Sequence, residues 1–320
     1  MSDVSSRMNK PPEAIETIDR FIWLLIVGML AAFLLISRRD PFTLIPSKAV
    51  LPSIGLATLA AASWIGHRWR LPRLKSASGA FLQMTAFTIL GVVLAYAVAA
   101  RGGILWDARL AAADRVLGFD WAAIRVLLDR APPLVWLLGL AYHSLIVQMI
   151  VAIVVLSHAA RAPILRVTVA AAVLSGLVTI LASGLFPAMG NVFDPAGYRH
   201  LWPSVAWLEA GLIGGLRDGS IRVVDLGAMM GIVTFPSFHA TLAAIFVWAF
   251  GQLPRLATPA QLWAASTIVA TPVFGGHYAV DVIAGLALAP PAIILATRLA
   301  RPTSLRTPQP AGVSVHAGHR

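Results

Sequence analysis

Two short polar stretches interrupt the apolar runs in the second half of the chain. The first is Pro236-Ser237-Phe238-His239, and the second is Gly275-Gly276-His277, which Asp281 follows. A helix that begins at the first stretch presents free N–H groups and the positive end of its dipole, which together bind anions. The proline suits the first turn of such a helix, and the serine can cap it. His239 lies about one turn in, where it can donate a proton to a bound group.

The second stretch places an imidazole beside a carboxylate. His277 and Asp281 are four residues apart and share a face if both are helical. Such a carboxylate fixes the imidazole tautomer and raises the basicity of the other ring nitrogen. With His239 and the anion-binding helix end, the pair predicts phosphoryl transfer through a phosphohistidine. The two glycines predict an unusual turn or a close backbone approach just before it.

Each feature also has a simpler explanation. A histidine at a helix end is often an ordinary interfacial residue, a His-x3-Asp pair is often a local hydrogen bond, and Pro-Ser often only caps a helix. A zinc site made from both histidines and Asp281 is a further alternative, but neither an HExxH motif nor a third histidine at ligand spacing accompanies them. Ionisable groups near lipid are costly, so their joint occurrence favours a site, and we expect no metal and no cofactor there.

The composition indicates that membrane-spanning helices carry these residues. Of the 320 residues, 58% are hydrophobic and 12% are charged, and the mean hydropathy is +0.79. The apolar runs are roughly 17–24 residues long, enough to cross a bilayer as helices. We therefore expect an all-α, polytopic transmembrane helical bundle. Its eight predicted spans are 21–37, 50–66, 80–100, 133–156, 163–186, 236–253, 259–275 and 279–298.

The pattern along the chain predicts four segments. Residues 1–20 and 301–320 are polar and are expected to be disordered, 21–79 to hold two additional transmembrane helices, and 80–300 to form the catalytic membrane domain. Within that domain, 101–132 has the apolar spacing of an interfacial helix, and 187–235 is too long to be a mere connection. The aspartates of the interfacial segment, Asp107, Asp114, Asp120 and Asp129, are expected to cap or solvate it.

Charge gives the expected orientation and excludes some partners. The 25 basic residues are scattered over short loops and both ends, which suits anionic lipid headgroups and not nucleic acid. Their modest excess on one side predicts an N-terminus inside the cell. Both polar stretches then lie at the outer or periplasmic face of the plasma membrane. We predict the bilayer and a lipid substrate as partners, and neither nucleic acid nor a protein partner. Without cysteine, disulfides and thiolate chemistry are excluded.

The two stretches resemble the signature blocks of the type 2 phosphatidic acid phosphatase superfamily, which carries Pro-Ser-Gly-His and a later Ser-Arg-x5-His-x3-Asp. Here Phe238 replaces the usual glycine, Ala270-Thr271 stands at the Ser-Arg pair, and the upstream Lys-x6-Arg-Pro block is absent. The sequences GIVTFPSFHA and GGHYAVDVIAG, with LFPA (185–188) and LRDG (216–219), are similar to the inositol phosphorylceramide synthase branch, which contains inositolphosphotransferases.

The resemblance implies a six-helix phosphatidic acid phosphatase-like core and a metal-independent mechanism. It makes His277 the nucleophile, Asp281 its orienting carboxylate, His239 the acid and base, and Ser237 a phosphate ligand. The family cations that stabilise developing charge are missing. We expect other basic residues to replace them, with Arg217 and Arg222 as the first candidates and Arg199 and His200 as the next.

The expected function is a membrane lipid phosphatase or phosphotransferase. Its substrate would be a phospholipid or a polyprenyl phosphate, and the phosphoryl group or phospho-headgroup would pass to water or to a lipid hydroxyl. The missing cations motivate an alternative, a non-catalytic phospholipid-binding membrane protein or transporter. Three further polar residues of the fourth span, Tyr142, His143 and Gln148, are expected to make helix-packing hydrogen bonds.

Overall fold

The computed structural model describes residues 12–253 and 257–300, and these are mostly helical with almost no strand, which confirms the predicted all-α membrane bundle. A 3-10 turn forms at Pro195–Gly197 and a π-helical turn at Thr271–Gly275. The short strands β1 (Thr43–Leu44) and β2 (Val223–Val224) pair in parallel. The helices are α1 (Pro12–Ser37), α2 (Pro46–Arg68), α3 (Pro72–Ala99), α4 (Asp107–Val116), α5 (Trp121–Asp129), α6 (Pro132–His143), α7 (Leu145–His158), α8 (Ala162–Leu185), α9 (Val205–Asp218), α10 (Phe238–Phe250), α11 (Ala257–Ala270) and α12 (Ala279–Leu299).

The predicted spans all fall on helices, but not all of these helices have membrane length. Within the described part of the chain, five are long and apolar enough to cross a bilayer: α1, α2, α3, α8 and α12. The bent pair α6 and α7, with 56° between its halves, gives a sixth if it is counted as one span. The remaining two predicted spans are α10, of 13 residues, and α11, of 14. They are shorter because the polar stretches occupy positions that the hydropathy pattern assigned to spans.

Helix α1 begins earlier than the sequence suggested. The segment 1–20 was expected to be disordered, yet α1 starts at Pro12, and Ile18 and Ile22 are fully buried. That apolar face packs against α3 and α8, so packing supplies the order that the polar composition concealed. Helix α2 packs on α3 and is largely exposed to the surroundings of the bundle. The rest of the predicted disordered termini, 1–11 and 301–320, lies outside the described residues.

A buried polar group fastens α1 to the bundle. The Arg166 guanidinium of α8 lies 3.1 Å from an Asp19 carboxylate oxygen of α1. Gln83 of α3 donates to the same Asp19 oxygen at 3.2 Å and accepts from Arg166 at 3.3 Å. These three residues, called here the ion cluster, lie near the start of α8. Each side chain contacts the other two, so the desolvation of a 4%-exposed arginine is offset by paired neighbours.

The predicted interfacial helix in 101–132 is two helices, α4 and α5. They are separated at Gly118, whose φ of 84° is a left-handed conformation that favours glycine. Asp120 then caps α5, because its side chain accepts a hydrogen bond from the Ala123 N–H at 3.0 Å. The expectation that Asp120 caps this segment is therefore confirmed.

The long segment 187–235 contains α9 and is tied to the rest of the bundle at several points. Strand β2 in this segment pairs with β1, which lies between α1 and α2. The Lys48 ammonium and the Asp225 carboxylate, 4.0 Å apart, lie beside that pairing. The α1–α2 connection and the segment that leads into α10 therefore lie at the same end of the bundle.

Candidate active site

The first polar stretch forms the start of α10, but with a different register from the one predicted. Ser237 is the N-cap, its Oγ accepts a hydrogen bond from the Ala240 N–H at 3.4 Å, and the helix begins at Phe238. Pro236 precedes the cap and does not occupy the first turn. Ser237 is fully buried, because its backbone packs against α12: the Ser237 N–H donates to the Asp281 carbonyl at 3.0 Å, and a side chain at Gly285 would collide with the Ser237 carbonyl.

The second polar stretch forms the start of α12. His277 precedes the helix and Asp281 lies in its first turn, so the two residues do not share a helical face as the spacing suggested. They still meet, with 3.5 Å between His277 Nδ1 and Asp281 Oδ2. The same carboxylate oxygen accepts the Tyr278 N–H at 2.8 Å and thereby closes a capping box. The carboxylate is thus fixed by the helix start and faces the imidazole.

Both polar stretches come together through their histidines. The Nε2 atom of His277 lies 3.4 Å from Ser237 Oγ, and the rings of His277 and His239 have centroids 6.4 Å apart. We call Ser237, His239, His277 and Asp281 the histidine cluster. Because Nδ1 of His277 faces the carboxylate, Nε2 is the nitrogen that faces the start of α10, where an anion would be held.

Two glycines set the path of the backbone into His277, as the sequence suggested. Gly276 has φ = 75°, and a side chain there would overlap Ala206 of α9. At Gly275 an added Cβ would lie 2.7 Å from the His277 ring and 2.9 Å from the Tyr142 hydroxyl. Only glycine at these positions lets the turn pass between α9 and α6 and still direct His277 toward α10.

Two aspartates of α4 support the site, which the sequence analysis missed. The Asp114 carboxylate accepts the N–H groups of Ala279 at 2.8 Å and Val280 at 3.0 Å, so it holds the first turn of α12. Asp107 accepts the Met189 and Gly190 N–H groups and the Tyr278 hydroxyl. These aspartates therefore bind other elements instead of capping or solvating their own helix.

The hydrogen bond to Asp107 places the Tyr278 hydroxyl beside a negative charge. Burial, together with the negative charge of Asp107, raises the pKa of the Tyr278 hydroxyl.

Asp129 likewise binds a distant backbone, since its carboxylate accepts the N–H groups of Arg199, His200 and Leu201. Those hydrogen bonds, the one from Arg199 first, lower the pKa of Asp129. The expected capping role of Asp129 was therefore also wrong, and its bonds fix the backbone at Arg199 and His200.

The two preferred basic residues, Arg217 and Arg222, bind backbone carbonyls outside the histidine cluster. Arg217 donates to the Gly103 carbonyl and lines a small cavity together with Thr234, three residues before Ser237. Arg222 donates to the Leu216 carbonyl at 2.6 Å and lies over the Phe42 ring. Within the described part of the chain, neither contacts a histidine of the cluster. Their assignment as phosphate ligands stays a prediction.

The polar residues of α6 and α7 have separate roles. Gln148 donates to Thr267 of α11 at 2.8 Å, which confirms its expected helix-packing hydrogen bond. Tyr142 instead stacks on His239, with ring centroids 4.7 Å apart and planes 13° from parallel. His143 contacts the rings of Tyr142 and Trp202. Tyr142 is therefore a neighbour of the site that sequence spacing alone did not indicate.

Two further observations concern the chemistry of the site: the grouping of side chains that could bind a metal, and the comparison of the chain with known families. Among residues 12–253 and 257–300, no three His, Asp or Glu side chains are grouped as metal ligands. A family model described as PAP2 superfamily matches residues 108–295, which is more than half of the chain and includes the whole histidine cluster. No curated protein matches the chain, and no solved structure does.

Proposed function

The chain belongs to the PAP2 superfamily, and from the geometry of its histidine cluster we propose that it is an integral membrane enzyme of lipid phosphoester chemistry. The observation that carries the proposal is the approach of His239 and His277 to 6.4 Å beside the N-cap of α10. An anion held at that helix end would lie between a nucleophile and a proton donor. The superfamily comprises membrane phosphatases and phosphotransferases, which agrees with this chemistry.

The proposed reaction has two steps. His277 Nε2 attacks phosphorus, the bond to the lipid oxygen breaks, and His239 gives that oxygen a proton. A phosphohistidine forms, and the Asp281 carboxylate stabilises the positive imidazole. Water or a lipid hydroxyl then attacks phosphorus while His239 takes its proton, and the bond to His277 breaks. Ser237 Oγ, 3.4 Å from Nε2, would contact the phosphate oxygens throughout.

The proposal also covers the branch of the superfamily, the membrane, the substrate and the phosphate ligands. We place the enzyme in the inositol phosphorylceramide synthase-like branch, in the plasma membrane with its site at the outer face, and acting on a phospholipid or polyprenyl phosphate. The catalytic domain would be 80–300, with α1 and α2 added to it. Arg217 is the better supported phosphate ligand, since it lines a cavity together with Thr234 of the segment that leads to Ser237. Arg222 would act at longer range.

A turnover assay on purified protein tests the proposal. Phosphatidic acid, phosphatidylinositol and a polyprenyl phosphate would be offered in detergent micelles, each with and without an isotope-labelled diacylglycerol acceptor, whose label marks any phospholipid formed by transfer. We expect phosphate or a new phospholipid to form with wild type and not with His277→Ala. Release of phosphate identifies a phosphatase, and a product that requires the lipid alcohol identifies a transferase.

The same assay separates the alternative function. No basic side chain contacts the histidine cluster within the described residues, and this favours a protein that binds phospholipid without turning it over. Wild-type protein that binds these lipids yet releases no product from any of them would establish that alternative. Activity that His277→Ala retains in full would instead remove the nucleophile from the proposal.

A further inference from the structure

Helix α9 presents one acidic residue on an otherwise apolar inner face. Its buried positions Ala206, Ile213 and Leu216 recur at helical spacing, and Glu209 is on the same face with only 4% of its surface exposed. A carboxyl group in such a position is costly to bury unless something binds it. The other acidic residue of the helix, Asp218, is at its exposed end and caps a local turn.

The inner face of α9 borders the histidine cluster. Ala206 packs against Gly276, the residue before His277. Ile213 lines a cavity with Thr234, on the segment that leads to Ser237. Glu209 lies one turn after Ala206 and one turn before Ile213, so it is on the helix face that makes both of these contacts.

The carboxyl of Glu209 lacks a partner in the part of the chain that the structure describes: no side chain or backbone group donates a hydrogen bond to it or forms an ion pair with it. It is within electrostatic reach of two phenols, Tyr96 of α3 and Tyr142 of α6. The Tyr96 hydroxyl receives the Met230 N–H, and Tyr142 stacks on His239. Burial raises the pKa of Glu209 to about 8.

We propose that Glu209 is a substrate-contacting residue that accepts a hydrogen bond from a hydroxyl group of the bound lipid substrates. The inference rests on the proposed function and names the chemistry that its site selects. Carboxyl oxygens accept hydroxyl hydrogen bonds, and a site that leaves such a group unpaired when a substrate lacks the hydroxyl discriminates against that substrate. The hydroxyl has two possible sources, the headgroup of the phosphate donor or the acceptor alcohol.

Phosphatidic acid and phosphatidylinositol form a matched pair of probes. Both release diacylglycerol when His277 attacks, and they differ in the polyol on phosphorus. We expect Glu209→Gln to lower kcat/KM by about 10- to 100-fold on phosphatidylinositol relative to phosphatidic acid if the headgroup supplies the hydroxyl. If the acceptor supplies it, the same loss appears only in the conversion of added isotope-labelled diacylglycerol to labelled phosphatidic acid. Asp218→Asn, an exposed carboxylate on the same helix, is the control and should change neither ratio.

Thermal stability distinguishes this role from a structural one. An unpaired buried carboxyl destabilises the fold, so Glu209→Gln should unfold at the same or a higher temperature than wild type while its selectivity falls. A residue that only held the helix in place would lose stability and would lower turnover of every substrate equally. Equal loss on all substrates, or no loss on any, overturns the inference.

Binding keeps this test independent of the proposed reaction. Phosphatidic acid, phosphatidylinositol and diacylglycerol would also be titrated, in micelles, against His277→Ala protein with and without Glu209→Gln. If wild type turns over neither phospholipid, the proposed function fails. Binding of the two phospholipids and of diacylglycerol then decides the role of Glu209 alone: lost preference for the polyol lipid or weakened binding of diacylglycerol supports it, and unchanged binding of all three removes it.

Discussion

Two of the groups of polar side chains inside the bundle, the ion cluster and the histidine cluster, differ in how closely their members approach one another. In the ion cluster, each of Asp19, Gln83 and Arg166 contacts both of the others within 3.3 Å. In the histidine cluster the closest side-chain approaches are 3.4 and 3.5 Å. Arg166 Nε, His277 Nδ1 and Asp281 Oδ1 all lack a hydrogen-bond partner among the described residues. Arg166 Nε nevertheless lies 3.1 Å from the Asp19 carboxylate as an ion pair, whereas neither an ion pair nor a hydrogen bond reaches Asp281 Oδ1 in the described residues.

The difference separates structure from function in a single bilayer-spanning bundle. A polar group removed from water costs free energy unless it is paired, so a closed set such as the ion cluster is explained by the helices it joins. An open set is not explained in this way. Its groups are held by backbone contacts from α4, α9 and α12 while their reactive atoms stay available. We therefore expect substitutions in the histidine cluster to change turnover and those in the ion cluster to change stability.

The largest effect should come from His277. Replacing it by alanine removes the proposed nucleophile, and we expect turnover to fall by about 10⁴-fold or more, because residues that act as a unit fail together. The melting temperature in detergent should change little, since the ring makes no close hydrogen bond within the described residues. Steady-state turnover beside a melting curve measures both. Unfolded His277→Ala protein would contradict the comparison, because the open cluster would then be structural.

The Asp281→Asn variant should have the next largest effect. Its side-chain oxygen can still accept the Tyr278 N–H, but the negative charge beside His277 is lost. We expect turnover to fall by about 10²- to 10⁴-fold, less than for His277→Ala. Single-turnover rates measure it, with Asp218→Asn as the matched exposed control. A variant as active as wild type would show that the 3.5 Å approach has no electrostatic role.

The site could be predicted from sequence where its residues begin helices. Pro236 and Ser237 ahead of an apolar run, and glycines ahead of His277, are local signals of helix starts, and the structure brings both starts together. Their side chains meet because both helices begin at the same end of the bundle. Hydropathy could not give the helix lengths, because it registers apolar runs and not where a capping residue or π-helical turn ends them.

The supporting residues could not be predicted, because their partners are distant in sequence. Asp114 binds the Ala279 N–H across 165 positions, and no periodic pattern encodes that contact. Glu209 carries no sequence signal within the long segment 187–235; its role depends on the burial of its face of α9, which the structure supplies. Arg217 and Arg222 were chosen by charge and proximity in sequence, and the structure places their guanidinium groups on carbonyls outside the cluster.

The ion cluster supplies the converse prediction. Arg166→Met leaves Asp19 buried on one side without its cation, and we expect a loss of about 3 kcal/mol of stability, seen as a lower melting temperature in micelles. Turnover per folded molecule should remain near wild type. Asp19→Leu combined with Arg166→Met should recover part of the stability, because no charge is then left unpaired. Lost catalysis in a folded Arg166→Met protein would break the distinction between the clusters.

Glu209 makes a smaller, pH-dependent contribution. Its pKa is raised to about 8 in the fold by burial, so the carboxyl is more readily protonated when folded than when unfolded. The destabilisation caused by burying this carboxyl is therefore smallest below its unfolded pKa of about 4.5 and grows as pH rises to about 8. We expect the melting temperature of wild type to fall over this range relative to Glu209→Gln, whose side chain does not titrate. If the melting temperatures of the two proteins change in parallel with pH, Glu209 is paired, as Asp19 is in the ion cluster.

The smallest expected effect is that of a metal chelator. The nitrogens of His277 face a carboxylate and a serine hydroxyl, and His239 stacks on Tyr142. In the proposed reaction these rings transfer a proton and a phosphoryl group at separate atoms. A histidine whose Nε2 binds phosphorus cannot hold a cation at that same nitrogen. We therefore expect turnover in excess EDTA to stay within about twofold of the untreated enzyme, a difference below about 0.5 kcal/mol. Activity that EDTA removes and zinc restores would mean that the histidine cluster binds a metal ion. Its unpaired atoms would then be metal ligands. Both clusters would in that case be explained by the cation they bind, the arginine in one and the metal in the other.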